Sequence, residues 1–428
     1  MNFRSPCLQE LYDRGFVHQC TDFEKLDEAM CKGKIRGYVG FDPTAKSLHV
    51  GNLVSIMMLR VFQRHGHQPI VIVGGATAKV CDPSGKDEMR RALTDDEIKE
   101  NVRSILSIYS SFISFGDGPS EAFTLDNADW LDQLKYLEFL RDYGPLFTIN
   151  RMLSFDSVKL RLEREQSLSF LEFNYMLLQA YDFQYLNNKY NCILQMGGSD
   201  QWGNIVNGVE LIRRKHNKES FGLTSPLITA ASGEKMGKSA GNAVWLKEDM
   251  LPAYDYWQFW RNVHDADVGR FLRLFTDLPL EEIKRLEALE GAALNDAKIV
   301  LANEATKLAR GEHVLPSIHQ TVASLFTEND SGYEITGHRA DGTPEIKTSL
   351  PVTELAASNF PMGAVDLFTL SGLVASKSEA RRSIQGGSLK IDDQRVEDIT
   401  ATVDLSASGV LKLSHGKKRH AIVLITKG

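Results

Sequence analysis

Between Arg36 and Gly75 the chain passes from a short apolar run, RGYVGF, through the polar turn DPTAKSLHVG into a long helical pattern, NLVSIMMLRVFQRHG, and then into a second apolar run, QPIVIVGG. The stretches EAFTLDNADW and NCILQMGGSDQW repeat the theme, each a short apolar segment that ends in polar residues. Strand-like and helix-like segments in alternation predict an α/β domain built on a parallel sheet. In such a sheet the polar residues gather at the carboxyl ends of the strands, where ligands bind.

The rest of the chain changes character twice. From about Asp249 to Phe326 the pattern is mostly helical and carries no cluster of reactive side chains. The stretch TENDSGYEITGHRADGTPE is polar and Gly-rich, which predicts a linker or mobile loop over 327–350. A compact module follows over 351–428. Net charge is -7, so bulk electrostatics alone do not point to nucleic acid. From Ser371 to Gly428, however, ten Lys plus Arg stand against six Asp plus Glu, or +4, which leaves -11 for the remainder. A basic tail on an acidic body fits a module that meets an anionic partner. The N-terminus has charges of both signs, no apolar run approaches membrane-spanning length, and the five cysteines are scattered with no C-x-x-C pair. A cytoplasmic protein without a membrane span or a cysteine-built metal site is expected.

The turn after RGYVGF is more than a connector. A strand ending at Phe41, a turn on Asp42 and Pro43, and a helix opening near Val50 and Gly51 aim backbone N–H groups and the positive helix end at a ligand. Thr44 and His49 add donors suited to charge moving onto phosphoryl oxygens, and Gly51 allows a flat ring close to the backbone. Alone, a surface turn with an incidental histidine is the commoner explanation. A second stretch, GEKMGKSAGN, puts Lys235 and Lys238 three residues apart in a loop of Gly and Ser, where two cations can close over a triphosphate. In NYMLLQAYDF, Tyr175, Gln179 and Asp182 are spaced by four and three and so share one helix face within an apolar segment. Asp182 can accept a hydrogen bond from a substrate hydroxyl, and Tyr38 can donate to the same oxygen from across a pocket. HGH at residues 65–67 reads as a helix end, and the aromatics of AYDYWQFWRNV as domain packing.

HVGN and KMGKS together resemble the paired signatures of class I aminoacyl-tRNA synthetases, in their usual order and wide separation. Asn52 replaces a second histidine and Gly237 a serine, both variants like those of the tyrosine branch. With GGATAKVCDPSGK, LDNADW and GGSDQWGN, these stretches closely resemble the bacterial tyrosyl-tRNA synthetases over essentially the whole chain. The resemblance implies that Tyr38 and Asp182 bind a phenolic hydroxyl, and that Asp82, Tyr175 and Gln179 hold the substrate ammonium, with Asp42 and Gln201 lining the same site. Thr44, His49, Lys86, Arg90, Lys235 and Lys238 would stabilise departing pyrophosphate, while Val39, Gly51, Asn52, Gly198 and Asp200, again with Lys238, would meet ATP. Mg²⁺ is expected to arrive with ATP, since no dedicated carboxylate cage is visible. A tryptophan-specific relative and a synthetase-derived RNA-binding or splicing protein are the alternatives.

The tail segment LFTLSGLVASKSEARRSIQGGSLKIDDQRV resembles a small RNA-binding domain first described in a ribosomal small-subunit protein. Lys377, Arg381 and Arg382 give its second helix a basic face for phosphates. The expected whole is thus an α/β protein: a Rossmann-like parallel-sheet catalytic domain (1–248), a helical domain (249–326), a linker (327–350) and a small α+β RNA-binding domain (351–428). The implied function is tyrosine activation by ATP and transfer to tRNA(Tyr), by a homodimer.

Overall fold

The computed structural model describes residues 1–428 except 81, 83–92, 230, 232–235, 237, 240–241, 326–332, 349, 417–418 and 428. The chain divides into two units, Met1–Lys247 with Val263–Ala297, and Glu248–Asn262 with Lys298–Gly428.

The first unit is built on a six-stranded sheet: β1 (Gln19–Cys20), β2 (Arg36–Phe41), β3 (Gln68–Val73), β4 (Phe123–Asp126), β5 (Cys192–Gly198) and β6 (Phe221–Ser225). Their order is β1-β6-β5-β2-β3-β4, and every neighbouring pair is parallel except β1 with β6. All six residues of β3 are buried, the pattern of a strand covered on both faces. From β2 the strand order runs outward through β3 to β4, and from β5 it runs the opposite way to β6. A crevice opens where the order reverses, so the carboxyl ends of β2 and β5 are the natural ligand site.

Two helices carry side chains into that crevice. The helix Val50–Arg64 follows β2, and Gly66, at φ +85°, turns the chain back toward β3. The helix Phe170–Tyr190 precedes β5; Ser169 and Glu172 close its start in a capping box and Asn191, left-handed at φ 51°, ends it. Arg14, almost wholly buried, donates to the carbonyls of Arg273, Thr276 and Leu278, which fastens the end of helix Val268–Phe275 and the residues after it to the start of the chain within the first unit. The histidines of HGH do sit at a helix end: His65 pairs with Glu10 at 2.6 Å, and burial lowers the His67 pKa to about 4.

In the second unit the helix Ala253–Arg261 buries Tyr254, Tyr256, Trp257 and Trp260, in keeping with a packing role, and Trp257 Nε1 donates to Asn303 Oδ1 at 2.8 Å. The C-terminal sheet orders Val352–Ala356, Arg419–Thr426, Val410–His415, Leu389–Ile391 and Gln394–Arg395 side by side. Helices Ala364–Leu370 and Lys377–Gln385 cover it through Leu367, Phe368, Ala380 and Ile384. Within the stretch expected as a linker, Glu334–His338 and Pro344–Lys347 form an antiparallel hairpin. Its polar composition hides its anchors: Thr343 is fully buried and accepts the Lys427 N–H, and Arg339 pairs with Glu354.

Candidate active site

The HVGN signature is a helix cap. His49 precedes the helix and its Nδ1 accepts the Gly51 N–H at 3.0 Å, while Asn52 Oδ1 accepts the His49 N–H at 3.1 Å. A neutral His49 whose Nδ1 is an acceptor carries its proton on Nε2. Gly51 is required by closeness: a Cβ there would lie 2.8 Å from His49 Cε1 and 3.0 Å from the Met236 carbonyl oxygen. Thr44 closes the turn before it, with its N–H on the Asp42 carbonyl at 2.8 Å.

The chain around the second signature meets the first. Val50 N–H donates to the Val244 carbonyl at 2.9 Å and Leu246 N–H to the Leu48 carbonyl at 2.8 Å, so His49 and Trp245 face each other in an antiparallel bridge. Met236 N–H reaches the Ile228 carbonyl at 2.9 Å. Lys238–Ser239 pairs with Asn242–Ala243 in a two-residue ladder, which places the Lys238 backbone. Lys86, Arg90 and Lys235, like the Lys238 side chain, lie outside the described residues.

A chain of hydrogen bonds runs along one wall of the crevice. Tyr175 donates to Asp42 Oδ2 at 2.9 Å, Thr77 donates to Asp42 Oδ1 at 2.7 Å, and Asn127 Nδ2 is 3.0 Å from both Thr77 Oγ1 and Asp182 Oδ2. Trp130 Nε1 donates to the other Asp182 oxygen at 2.7 Å. Tyr38 and Asp182 are both buried, and the Tyr38 hydroxyl has no hydrogen-bond partner among the described residues. A buried hydroxyl left so costs about 1–3 kcal/mol, which a hydroxyl-bearing ligand would recover. Gln201 Nε2 donates to Asp82 Oδ2 at 2.8 Å, and Asn204 Nδ2 donates to Gln179 Oε1 at 3.0 Å and Gln201 Oε1 at 3.2 Å. The Asp82 carboxylate and the amide oxygens of Gln179 and Gln201 are thus linked in one hydrogen-bonded group, which suits an ammonium group. Val39 is buried in β2, and Gly198 ends β5 where a Cβ would strike Asp200 Oδ1 at 2.5 Å.

Burial sets the electrostatics. The Asp182 pKa rises to about 7 because desolvation outweighs the donors Asn127 and Trp130, with Asp42 and Asp126 adding repulsion. Burial, then neighbouring carboxylates, pushes Tyr38 and Tyr175 well above the ordinary phenol value, so both stay neutral donors. The sequence alone gives no role to Thr77, Asn127, Trp130 or Asn204, although all four stand in the stretches singled out above. Gly74 and Gly75 belong with them: a Cβ at Gly74 would fall 2.2 Å from Asp42 Oδ1 and one at Gly75 2.3 Å from Asp126 Oδ1. A polar residue one step beyond a strand end is the signal that could have found Asn127, just after β4.

In the second unit Lys377, Arg381 and Arg382 are all exposed on helix Lys377–Gln385, and Lys377 Nζ lies 2.6 Å from Asp366 Oδ1. No helix among the described residues is long and apolar enough to cross a membrane.

The family of class I tRNA synthetases (W and Y) matches residues 30–327. The chain is 54% identical to the tyrosine–tRNA ligase of Zymomonas mobilis subsp. mobilis, over 98% of each chain. It is also 54% identical, again over 98% of each, to the enzyme of that name from Xanthobacter autotrophicus. Among solved structures, a C-terminally truncated mitochondrial tyrosyl-tRNA synthetase of Aspergillus nidulans superposes with a TM-score of 0.68 at 30% identity, covering 76% of this chain and 95% of that one. A tryptophanyl-tRNA synthetase of Encephalitozoon cuniculi shares the fold at a TM-score of 0.54 and 11% identity, covering 71% of this chain and 86% of that one.

Proposed function

Since the chain belongs to the bacterial tyrosyl-tRNA synthetases of class I, we propose that the crevice at β2 and β5 holds tyrosine by both ends while ATP lies along the capped helix. The reaction is that of a tyrosine–tRNA ligase: ATP activates tyrosine to tyrosyl-adenylate, and the tyrosyl group passes to the 3′ end of tRNA. The observation that carries the residue assignment is the buried Asp182, gripped by Asn127 and Trp130, near a Tyr38 hydroxyl that lacks a partner among the described residues. Asp182 accepts the substrate's phenolic hydroxyl and Tyr38 donates to it. Asp42, Asp82, Gln179 and Gln201, ordered by Tyr175 and Asn204, face the ammonium.

The substrate carboxylate is already ionised at neutral pH and needs no strong base. It attacks the α-phosphorus of ATP: a carboxyl O–P bond forms, the bond to the bridging oxygen breaks, and pyrophosphate leaves with the electron pair. Catalysis is then placement plus stabilisation of developing charge. His49 through Nε2, Thr44, Lys86, Arg90, Lys235 and Lys238 follow that charge, while Val39, Gly51, Asn52, Gly198 and Asp200 seat the nucleoside. Mg²⁺ comes bound to ATP.

The exposed cations Lys377, Arg381 and Arg382 meet tRNA phosphates. Seven exposed large apolar side chains fall between residues 136 and 171, among them Tyr136, Leu137, Ile149 and Phe170, and this surface supports a homodimer. Cys7, Cys20, Cys31 and Cys192 are free thiols, which fits the cytoplasm. Tyrosine-dependent exchange of pyrophosphate into ATP, without tRNA, tests the reading. Exchange with tryptophan and none with tyrosine would refute the pocket assignment, and no exchange with either would turn the chain into an RNA-binding relative.

A further inference from the structure

After β6 the chain runs through residues 226–231 toward the signature that holds Lys235 and Lys238. One pair of side chains grips that run. Asp267 is buried; its Oδ2 accepts the Ala231 N–H at 2.8 Å and its Oδ1 takes Arg270 Nη2 at 2.6 Å. Arg270 Nη2 also donates to the Thr229 carbonyl. Two backbone groups two residues apart are therefore tied to the start of helix Val268–Phe275. Between the Pro226–Ile228 segment and that helix lies a cavity of about 590 Å³, bordered by Tyr12, Arg14, Leu227, Ile228, Arg273 and Leu274. Leu227 is 55% exposed, so close packing does not hold the segment there and the polar ties matter more.

The tied segment leads back to the chemistry. Ile228 accepts the N–H of Met236, which stands within the second signature, and the Met236 carbonyl oxygen lies 3.0 Å from where a Cβ on Gly51 would sit, beside the His49 cap. Through this bond a shift of Ile228 would move Met236, next to the His49 cap.

We propose that Asp267 and Arg270 are positioning residues for tyrosine activation: they touch no substrate, and they fix the strand exit that sets the second signature against the helix cap. The inference rests on the function proposed above. Asp267 matters more than Arg270, because it is the buried acceptor of a backbone N–H, whereas Arg270 is 43% exposed in its side chain.

The test is tyrosine-dependent pyrophosphate exchange by the full chain. Asp267→Ala should lower kcat about tenfold or more with KM for tyrosine nearly unchanged, the signature of an interaction that counts in the transition state. Asp267→Asn, which keeps an acceptor for Ala231, and Arg270→Lys should each restore most of the rate. Lys238→Ala supplies the readout that a general loss of stability would not move. Effects routed through the same signature overlap, so Asp267→Ala added to Lys238→Ala should cost less than about threefold more, whereas independent effects would multiply. Hydrogen exchange of residues 226–231 should rise in Asp267→Ala whatever the activity. An inactive parent chain would overturn the function itself. An active parent with an equally active Asp267→Ala variant, unchanged exchange at 226–231, a selective rise in KM for tyrosine, or fully multiplicative losses would overturn the positioning role.

Discussion

Asp182 shows how one buried carboxyl can set both specificity and pH response. Its folded pKa of about 7 lies above its ordinary 3.8, so the folded state holds this proton more tightly than the unfolded chain does. The stability it contributes is complete below about pH 4 and is lost as pH rises through 7. Function runs the other way, since the ionised form is the better acceptor for a phenolic hydroxyl. We expect kcat/KM for tyrosine in the exchange reaction to fall as pH drops below about 7, while the profile for phenylalanine stays flat. Asp182→Asn should abolish the difference, and a tyrosine profile unchanged in that variant would remove Asp182 from the pocket. Asp182→Ala should cut the preference for tyrosine over phenylalanine by the worth of a buried hydrogen bond, about 1–3 kcal/mol, measured as the ratio of kcat/KM values. The helical spacing of Tyr175, Gln179 and Asp182 was legible in the sequence because one helix face is a local property. The partners Thr77, Asn127 and Trp130 were not, because they reach Asp182 and Asp42 only after β3 pairs with β2 and β4 with β3.

At the scale of elements, the capped helix Val50–Arg64 separates structure from chemistry. His49→Ala removes the cap and should destabilise the chain by about 1 kcal/mol, while His49→Asn keeps a capping oxygen and should melt close to the parent. Both variants lose the distal imidazole nitrogen, so both should slow exchange, by about 3 kcal/mol in the barrier. Thermal melts beside exchange kinetics decide it: an Asn variant with parental rate would leave His49 a cap and nothing more. Gly51→Ala should slow exchange as well, because its Cβ would push on the His49 ring and the Met236 carbonyl. The strand-helix alternation, the helix start at Val50 and the crevice at the strand ends were all readable from apolar periodicity. The hairpin at 334–347 was not: its strands are short and polar, and what orders them is burial of Thr343 and a bond from Lys427, more than eighty residues onward.

For the whole molecule, the separation of activation from tRNA handling is the testable property. A chain ended after Leu325 should still make tyrosyl-adenylate, since the site groups lie before residue 248, but it should charge tRNA poorly. Ending at Leu350 instead would keep the hairpin and strip it of Glu354 and Lys427. In the full chain, KM for tRNA should climb with salt as phosphate contacts are screened, and unchanged charging after truncation would dismiss the tail as a tRNA-binding module. Leu137→Lys should shift sedimentation from dimer toward monomer if the apolar surface at 136–171 is the subunit contact. The division of the chain also bears on its synthesis. It crosses between the two units after Lys247, after Asn262 and after Ala297. A ribosome therefore releases the aromatic helix Ala253–Arg261 and must then add the thirty-five residues Val263–Ala297 to the other unit before Asn303 and Arg310, which meet Trp257 and Tyr256, emerge. During that interval Tyr254, Tyr256, Trp257 and Trp260 stand uncovered on the nascent chain, which makes this helix the place where a holding chaperone would bind and where stalled synthesis would leave an aggregation-prone end.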